Sequence, residues 1–197
     1  MTWHLIRLSD TPASPWRNGG GTTRELAAWP AGEGWSWRIS VAEVAADGPF
    51  SHFPGVQRWF AVVQGNGVRL ALDGQVQEVD SASAPLEFDG ATAVDSWLLG
   101  GPTQDLNLMV RREHARGAMT RLRGPHRFVT SAEGVIAVYA LDAPTTLHGR
   151  SGPLAELPPH SLAWKQLPAG TELEVATTGA ICMEITPEAG GLQLRQR

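Results

Sequence analysis

The chain has 197 residues, 42% hydrophobic and 18% charged, a globular balance that excludes a disordered polyelectrolyte. Its net charge of −4 argues against a general nucleic-acid binder, which needs a basic excess, and no apolar run approaches the ~18 residues of a membrane span. The single cysteine, Cys182, makes neither an internal disulfide nor a thiolate metal cluster, and Arg7 comes too early for a signal peptide, so the expected compartment is cytoplasmic.

In chain order, alternation of apolar and polar residues predicts strands at 3–8, 22–28, 35–44, 57–64, 67–72, 92–99 and 104–111. A second series follows at 134–141, 161–167, 171–176 and 179–185. Turn signals separate them at Asn66-Gly67, Asp73-Gly74, Asp89-Gly90, Gly100-Gly101-Pro102 and Pro168-Ala169-Gly170. Helical periodicity is almost absent, and Gly (22) and Pro (14) are abundant, as many short strands require. The stretch 112–132 has the composition of a connection, with Arg112, Arg116, Arg121, Arg123 and Arg127 against one acid, Glu113. A boundary near 113–120 divides the chain into halves 1–113 and 114–197, and Gln193–Arg197 is expected to be a loose tail. The halves differ in charge, −5 against +1. An all-β chain of this kind is a sandwich, a barrel or a jelly roll. Two cupin-type jelly rolls in tandem, a bicupin, account for the length.

Side chains alternate across a strand, so parity sorts faces. Over 35–44 one face reads Trp35, Trp37, Ile39, Val41 and the other Ser36, Arg38, Ser40, Ala42. Over 104–111, Leu106, Leu108 and Val110 oppose Asp105, Asn107, Met109 and Arg111. The mixed faces either meet solvent or line a ligand-holding lumen. Sparse groups such as Arg38, Ser40, Asn107 and Met109 suit a pocket better than a Lys/Glu-rich surface does.

The segment Trp16-Arg17-Asn18-Gly19-Gly20-Gly21-Thr22-Thr23-Arg24-Glu25 contains three consecutive glycines. These serve either a tight turn before a strand or the close approach of an anion. It lacks the endings of nucleotide-binding loops. Trp37-Arg38-Ile39-Ser40 follows, then Gly48-Pro49-Phe50-Ser51-His52-Phe53-Pro54-Gly55-Val56-Gln57-Arg58, Gly65-Asn66-Gly67, Phe88-Asp89-Gly90 and Asp105-Leu106-Asn107-Leu108-Met109-Val110-Arg111-Arg112. In this order the segments closely resemble the HutD/Ves family of bacterial proteins, strongly over residues 3–113 and weakly beyond. The resemblance implies a compact bicupin associated with histidine utilisation or stress response.

Metal-binding cupins carry a first motif resembling Gly-x5-His-x-His-x3–4-Glu-x6-Gly. Anchored on Gly65, it places His52 at the first His, Pro54 at the second and Arg58 at the Glu; 92–112 contains no His for the later motif. One imidazole beside a guanidinium is a poor divalent-metal site, so neither metal nor cofactor is expected. Arg58 instead suits a ligand carboxylate.

The expected ligand set is Asn18, Arg38, Ser40, His52, Arg58, Asn107 and Met109, with Asp105 buttressing an arginine. His52 is the candidate for acid–base chemistry. No Gly-x-Ser-x-Gly elbow is present, Cys182 reads as a structural thiol, and Trp16 and Trp37 are candidate pocket walls. The leading expectation is a metal-independent bicupin binding a small anionic metabolite. The resemblance suggests urocanate or a formylated glutamate, bound to tune histidine utilisation. The alternatives are a cupin enzyme (isomerase, lyase or hydrolase) and a protein-interaction module; a homodimer is compatible with each.

Overall fold

A computed structural model describes residues 2–188; the expected tail Gln193–Arg197 lies outside the described residues. In chain order the strands are β1 (His4–Arg7), β2 (Ser14–Pro15), β3 (Gly21–Trp29), β4 (Trp37–Val44), β5 (Gly48–Pro49), β6 (Val56–Gln64), β7 (Val68–Leu72), β8 (Gln75–Val79), β9 (Leu86–Asp89) and β10 (Val94–Leu98). They continue with β11 (Thr103–Arg111), β12 (Ala115–Leu122), β13 (His126–Val129), β14 (Gly134–Ala140), β15 (Thr145–Gly149), β16 (Gly152–Leu157), β17 (Ser161–Leu167), β18 (Glu172–Ala176) and β19 (Ala180–Pro187). The sole helical element among the described residues is one 3-10 turn, Leu8–Asp10.

Two compact units result. Pro12–Glu113 forms one; among the described residues, 2–11 and 114–188 form the other. The expected first half, 1–113, is thus corrected at its start. His4–Arg7 pairs antiparallel with β17, from His4 opposite Trp164 to Arg7 opposite Ser161. Trp3 completes the apolar core there.

The unit Pro12–Glu113 has a six-stranded sheet, β2-β3-β4-β11-β6-β9, and a four-stranded sheet, β5-β10-β7-β8. Phe60, Val62 and Phe88 of the larger sheet pack against Val68, Leu70 and Val94 of the smaller. The face bearing Phe60 and Val62 is therefore the interior. The other unit has sheets β1-β17-β14-β19-β12 and β13-β18-β15-β16. Its interior is apolar, with Ile136, Val138, Leu147, Leu173, Val175 and Cys182 in contact. Each unit is a jelly roll, and the chain is a tandem pair.

The expected connection 112–132 holds β12 and β13, a second correction. The sheet β1-β17-β14-β19-β12 ends at β12, and β13 ends the smaller sheet, so Arg116 and Arg127 stand in solvent and Arg121 is half-buried. Arg116 pairs with Glu188 and Arg127 with Glu174. An edge strand carries few apolar residues because only one flank is covered, and charges there discourage further pairing. The same composition imitates a linker.

Candidate functional site

The site is built on β4, β11 and β6, which lie side by side. Register places Asn107 beside Ser40 on one flank and Phe60 on the other; Met109 stands between Arg38 and Arg58. Arg38, Ser40, Arg58, Asp105, Asn107 and Met109 therefore share the interior face with Phe60 and Val62. Adjacent strands are about 4.8 Å apart, which puts the two arginine Cα atoms roughly 10 Å apart across Met109. Ser40, Asp105 and Met109 are each 2% exposed, Asn107 6% and Arg58 8%. Solvent does not explain this polar face.

Arg58 is held in an aromatic box. Its guanidinium carbon lies 4.9 Å from the Phe88 ring centroid, 5.5 Å from Phe53 and 5.7 Å from Phe50, within cation–π range. Nη1 donates to the Ser51 carbonyl at 3.2 Å and Nη2 to Asn107 Oδ1 at 3.4 Å. Nε has no partner among the described residues. The long bonds and the idle donor leave a guanidinium with unused capacity. Burial pulls it down to about 10, which Asp105 opposes and Arg38 reinforces; it stays charged at neutrality.

Behind Arg58 lies a relay. Asn107 Nδ2 donates to Asp105 Oδ2, so Asn107 takes a hydrogen bond from Arg58 and gives one to Asp105. Asp105 Oδ1 is buried without a partner among the described residues. Burial raises the Asp105 carboxyl to about 7, against the lowering effects of the Asn107 hydrogen bond and the Arg58 charge. Asp105 thus supports an arginine, through Asn107.

Arg38 is the second cation. Its side chain is 23% exposed, and Nε is 3.9 Å from Glu25 Oε2. Burial lowers its pKa and Glu25 counteracts this. It lies 5.6 Å from the Trp35 ring centroid, and Arg111 lies 5.0 Å from the same ring while donating to the Trp35 carbonyl at 2.8 Å. Trp35 packs with Met109, Val56 and Phe53. Parity across 35–44 had placed Trp35 with Trp37, but β4 begins at Trp37 and alternation does not extend into the preceding loop. Trp35 is the aromatic residue that sequence reasoning missed. The expected walls lie elsewhere. Trp37 alternates onto the opposite face with Ile39, and Trp16 donates to Thr23 Oγ1 at 2.7 Å.

Two expected ligand residues are not brought in. Asn18 is exposed, and its Oδ1 accepts from the Gly20 amide at 3.0 Å. Its loop adjoins the Val44 end of β4, where the Gly20 carbonyl accepts from Ala45 and Ala46. Arg38 stands six residues away, roughly 20 Å along the strand. The third glycine is there for steric reasons: a Cβ on Gly21 would fall 2.1 Å from the Glu43 carbonyl oxygen and 3.1 Å from the Trp16 ring, whereas Gly19 serves a backbone with φ of +72°. His52 follows Ser51, yet it is exposed while Phe53 turns inward over Arg58.

Metal-binding cupins raise the question of an ion. The donor set here does not fit one, because two guanidinium groups repel a cation and neither amide nor thioether compensates. Among the described residues no three His, Cys, Asp or Glu side chains come together. Cys182 lies in the other unit, where burial pushes its thiol up to about 12, an inert state.

The HutD family model matches residues 8–183. The chain belongs to the HutD family. It is 38% identical over 135 residues to an uncharacterised 21.2 kDa protein in the hutC 3′ region of Pseudomonas putida, covering 67% of this chain and 70% of that protein. Protein Ves of Cronobacter sakazakii is 33% identical over 156 residues, 79% and 82% of the two chains. HutD from Pseudomonas fluorescens SBW25, solved in a formate condition, superposes with a TM-score of 0.85 at 28% identity, covering 95% of this chain and all of that one. At the level of fold alone, a variant of oxalate decarboxylase from Bacillus subtilis gives a TM-score of 0.64 at 8% identity, covering 95% and 78%. The fold is that of the cupins, duplicated.

Proposed function

We propose that this HutD-family protein binds a small anionic metabolite through a carboxylate, inside the jelly roll Pro12–Glu113. The observation that carries this reading is Arg58: a buried cation, boxed by three phenylalanines, with long hydrogen bonds and an unused Nε. A carboxylate facing it supplies the missing acceptors bidentately, a geometry the planar guanidinium favours. Arg38 adds a second positive charge across Met109. The thioether and Trp35 offer adaptable apolar contact to the rest of the ligand. The relative encoded in the hutC 3′ region supports histidine-breakdown acids, urocanate or formylated glutamate, as first candidates. The proposed role is to sense or sequester such an intermediate and so tune histidine utilisation.

Calorimetric titration with these acids and with formate tests the reading. A charge-assisted hydrogen bond is worth roughly 1.5–3 kcal/mol. Arg58→Ala is therefore expected to weaken binding about ten- to a hundred-fold. Arg58→Lys recovers part of the loss, since an ammonium lacks the planar fork. Arg38→Gln weakens binding by a smaller factor, and Arg123→Ala, in the other unit, leaves it unchanged. Equal affinity in a folded Arg58→Ala and the parent overturns the proposal.

A further inference from the structure

We infer that Asp105 takes up one proton when an anion binds beside Arg58, so that the site accepts its ligand as anion plus proton. This inference rests on the anion-binding reading above. Without ligand, Asp105 and Arg58 form a neutral pair mediated by Asn107, with Asp105 Oδ2 bonded and Oδ1 buried without a partner. A carboxylate docking on Arg58 competes for the charge that keeps Asp105 ionised. It also brings a second negative charge into a compartment with little water to screen it. Two carboxylates then share one guanidinium, and the buried one is cheaper to neutralise. The proton comes from solvent, Asp105 becomes a carboxylic acid, and the ligand keeps its charge.

The charged neighbours are few. From β6 comes Arg58, and from β4 Arg38, itself close to Glu25 of β3. The opposing sheet contributes Val68, Leu70, Leu72, Val79 and Val94 to the core, none titratable. The loop carrying Ser51 also holds the exposed His52. The free carboxyl already lies at about 7, so a modest rise on binding produces uptake near physiological pH. The sign follows from linkage. Below about pH 7 Asp105 is protonated with or without ligand, and affinity is flat. Above it, affinity falls by up to about tenfold per pH unit until the bound-state value is passed. Asp105 is a positioning residue, acting on the ligand through Asn107 and Arg58.

Calorimetry of the whole protein with formate and with N-formylglutamate, whose carboxylates remain ionised above about pH 6, tests this between about pH 6 and pH 9. Paired buffers of different ionisation heat count the protons. The parent is expected to show falling affinity above neutrality and uptake approaching one proton per anion. Asp105→Asn, which imitates the protonated acid, is expected to bind independently of pH, to take up no proton and to exceed the parent at about pH 9. A merely structural Asp105 would instead weaken binding at every pH. His52→Gln is expected to keep the parent's profile; if it abolishes the dependence while Asp105→Asn keeps it, His52 titrates and the inference is overturned. Should Asp105→Asn fail to fold, the parent's proton count decides. Binding without uptake removes the inference and leaves the anion reading standing, whereas no carboxylate binding at any pH removes both.

Discussion

Arg58 and Asp105 are the buried charged side chains among the described residues, and the charge of each partly offsets the burial cost of the other. Taking either out of water is expensive, and a partner held through an amide offsets only part of that cost. Asp105 carries the consequence into stability. Its carboxyl is raised from 3.8 to about 7 in the fold. The folded state therefore holds a proton that the unfolded chain releases between about pH 4 and pH 7, and stability falls across that window. The effect is fully present below the unfolded value and lost as pH rises through the folded one. Asp80, Asp89, Glu172 and Glu188 are shifted downward, so their contribution to stability has the opposite sign. The melting temperature of the parent is expected to drop between about pH 4 and pH 7, and that of Asp105→Asn to drop less. Equal slopes in differential scanning fluorimetry would refute the assignment. Much of this face was legible in the sequence: Arg38, Ser40, Asn107 and Met109 follow from strand alternation, and Arg58 from its place at the Glu of the metal-cupin motif. Asn18, His52 and Trp35 were misplaced because all three lie in loops, where no period fixes direction.

Three loop–strand segments that stand apart in the sequence meet around Arg58. The turn after β9 ties down the loop between β5 and β6: Phe53 donates to the Gly90 carbonyl at 2.6 Å, and Gly90 to the Val56 carbonyl at 2.8 Å. Arg112 bonds the Val56 carbonyl at 3.2 Å and pairs with Asp89. These contacts hold the Ser51 carbonyl and the Phe53 ring against the guanidinium. Gly90 is required for closeness, since a Cβ would lie 2.5 Å from the Phe53 carbonyl oxygen and 2.8 Å from that of Val56. Backbone on both sides cannot yield as a flexible side chain would. Gly90→Ala is therefore expected to cost about 1–3 kcal/mol and to weaken carboxylate binding. Gly34→Ala, with nothing within 4 Å of its Cβ position, is expected to change neither. Chemical denaturation of both variants measures this, and equal midpoints would show that the turn does not hold the loop. At this scale most central strands were readable because they are apolar on at least one face, but the central β15 and the edge strand β9, of five and four residues, are too short to show a period. β8, β12, β13 and β16 were not readable either. Few of their residues are buried, and pairing on a sheet edge leaves a weak hydrophobic period.

The two jelly rolls divide their labour by what fills them. In Pro12–Glu113 the interior carries Arg58, Asp105 and Asn107. In the other unit the buried polar side chains are uncharged, and several are paired, as in Thr145 with Thr177, Thr130 with the Pro168 carbonyl and Ser161 with that of Pro158, while Trp3 Nε1 and the Tyr139 hydroxyl have no partner among the described residues. That interior is an apolar core. The first residues belong to it: Trp3 is 8% exposed within the core, and β1 covers the flank of β17. Trp3→Ala removes a large ring whose space the neighbours refill incompletely, at an expected cost of about 3–5 kcal/mol. Amide exchange is expected to accelerate across β1, β17 and β14, while the strands of Pro12–Glu113 keep most of their protection. Formate titrated into the folded variant is expected to bind with the parent's affinity, because every residue assigned to the carboxylate lies between Arg38 and Met109. Loss of binding with exchange protection intact would mean that the site draws on groups outside Pro12–Glu113.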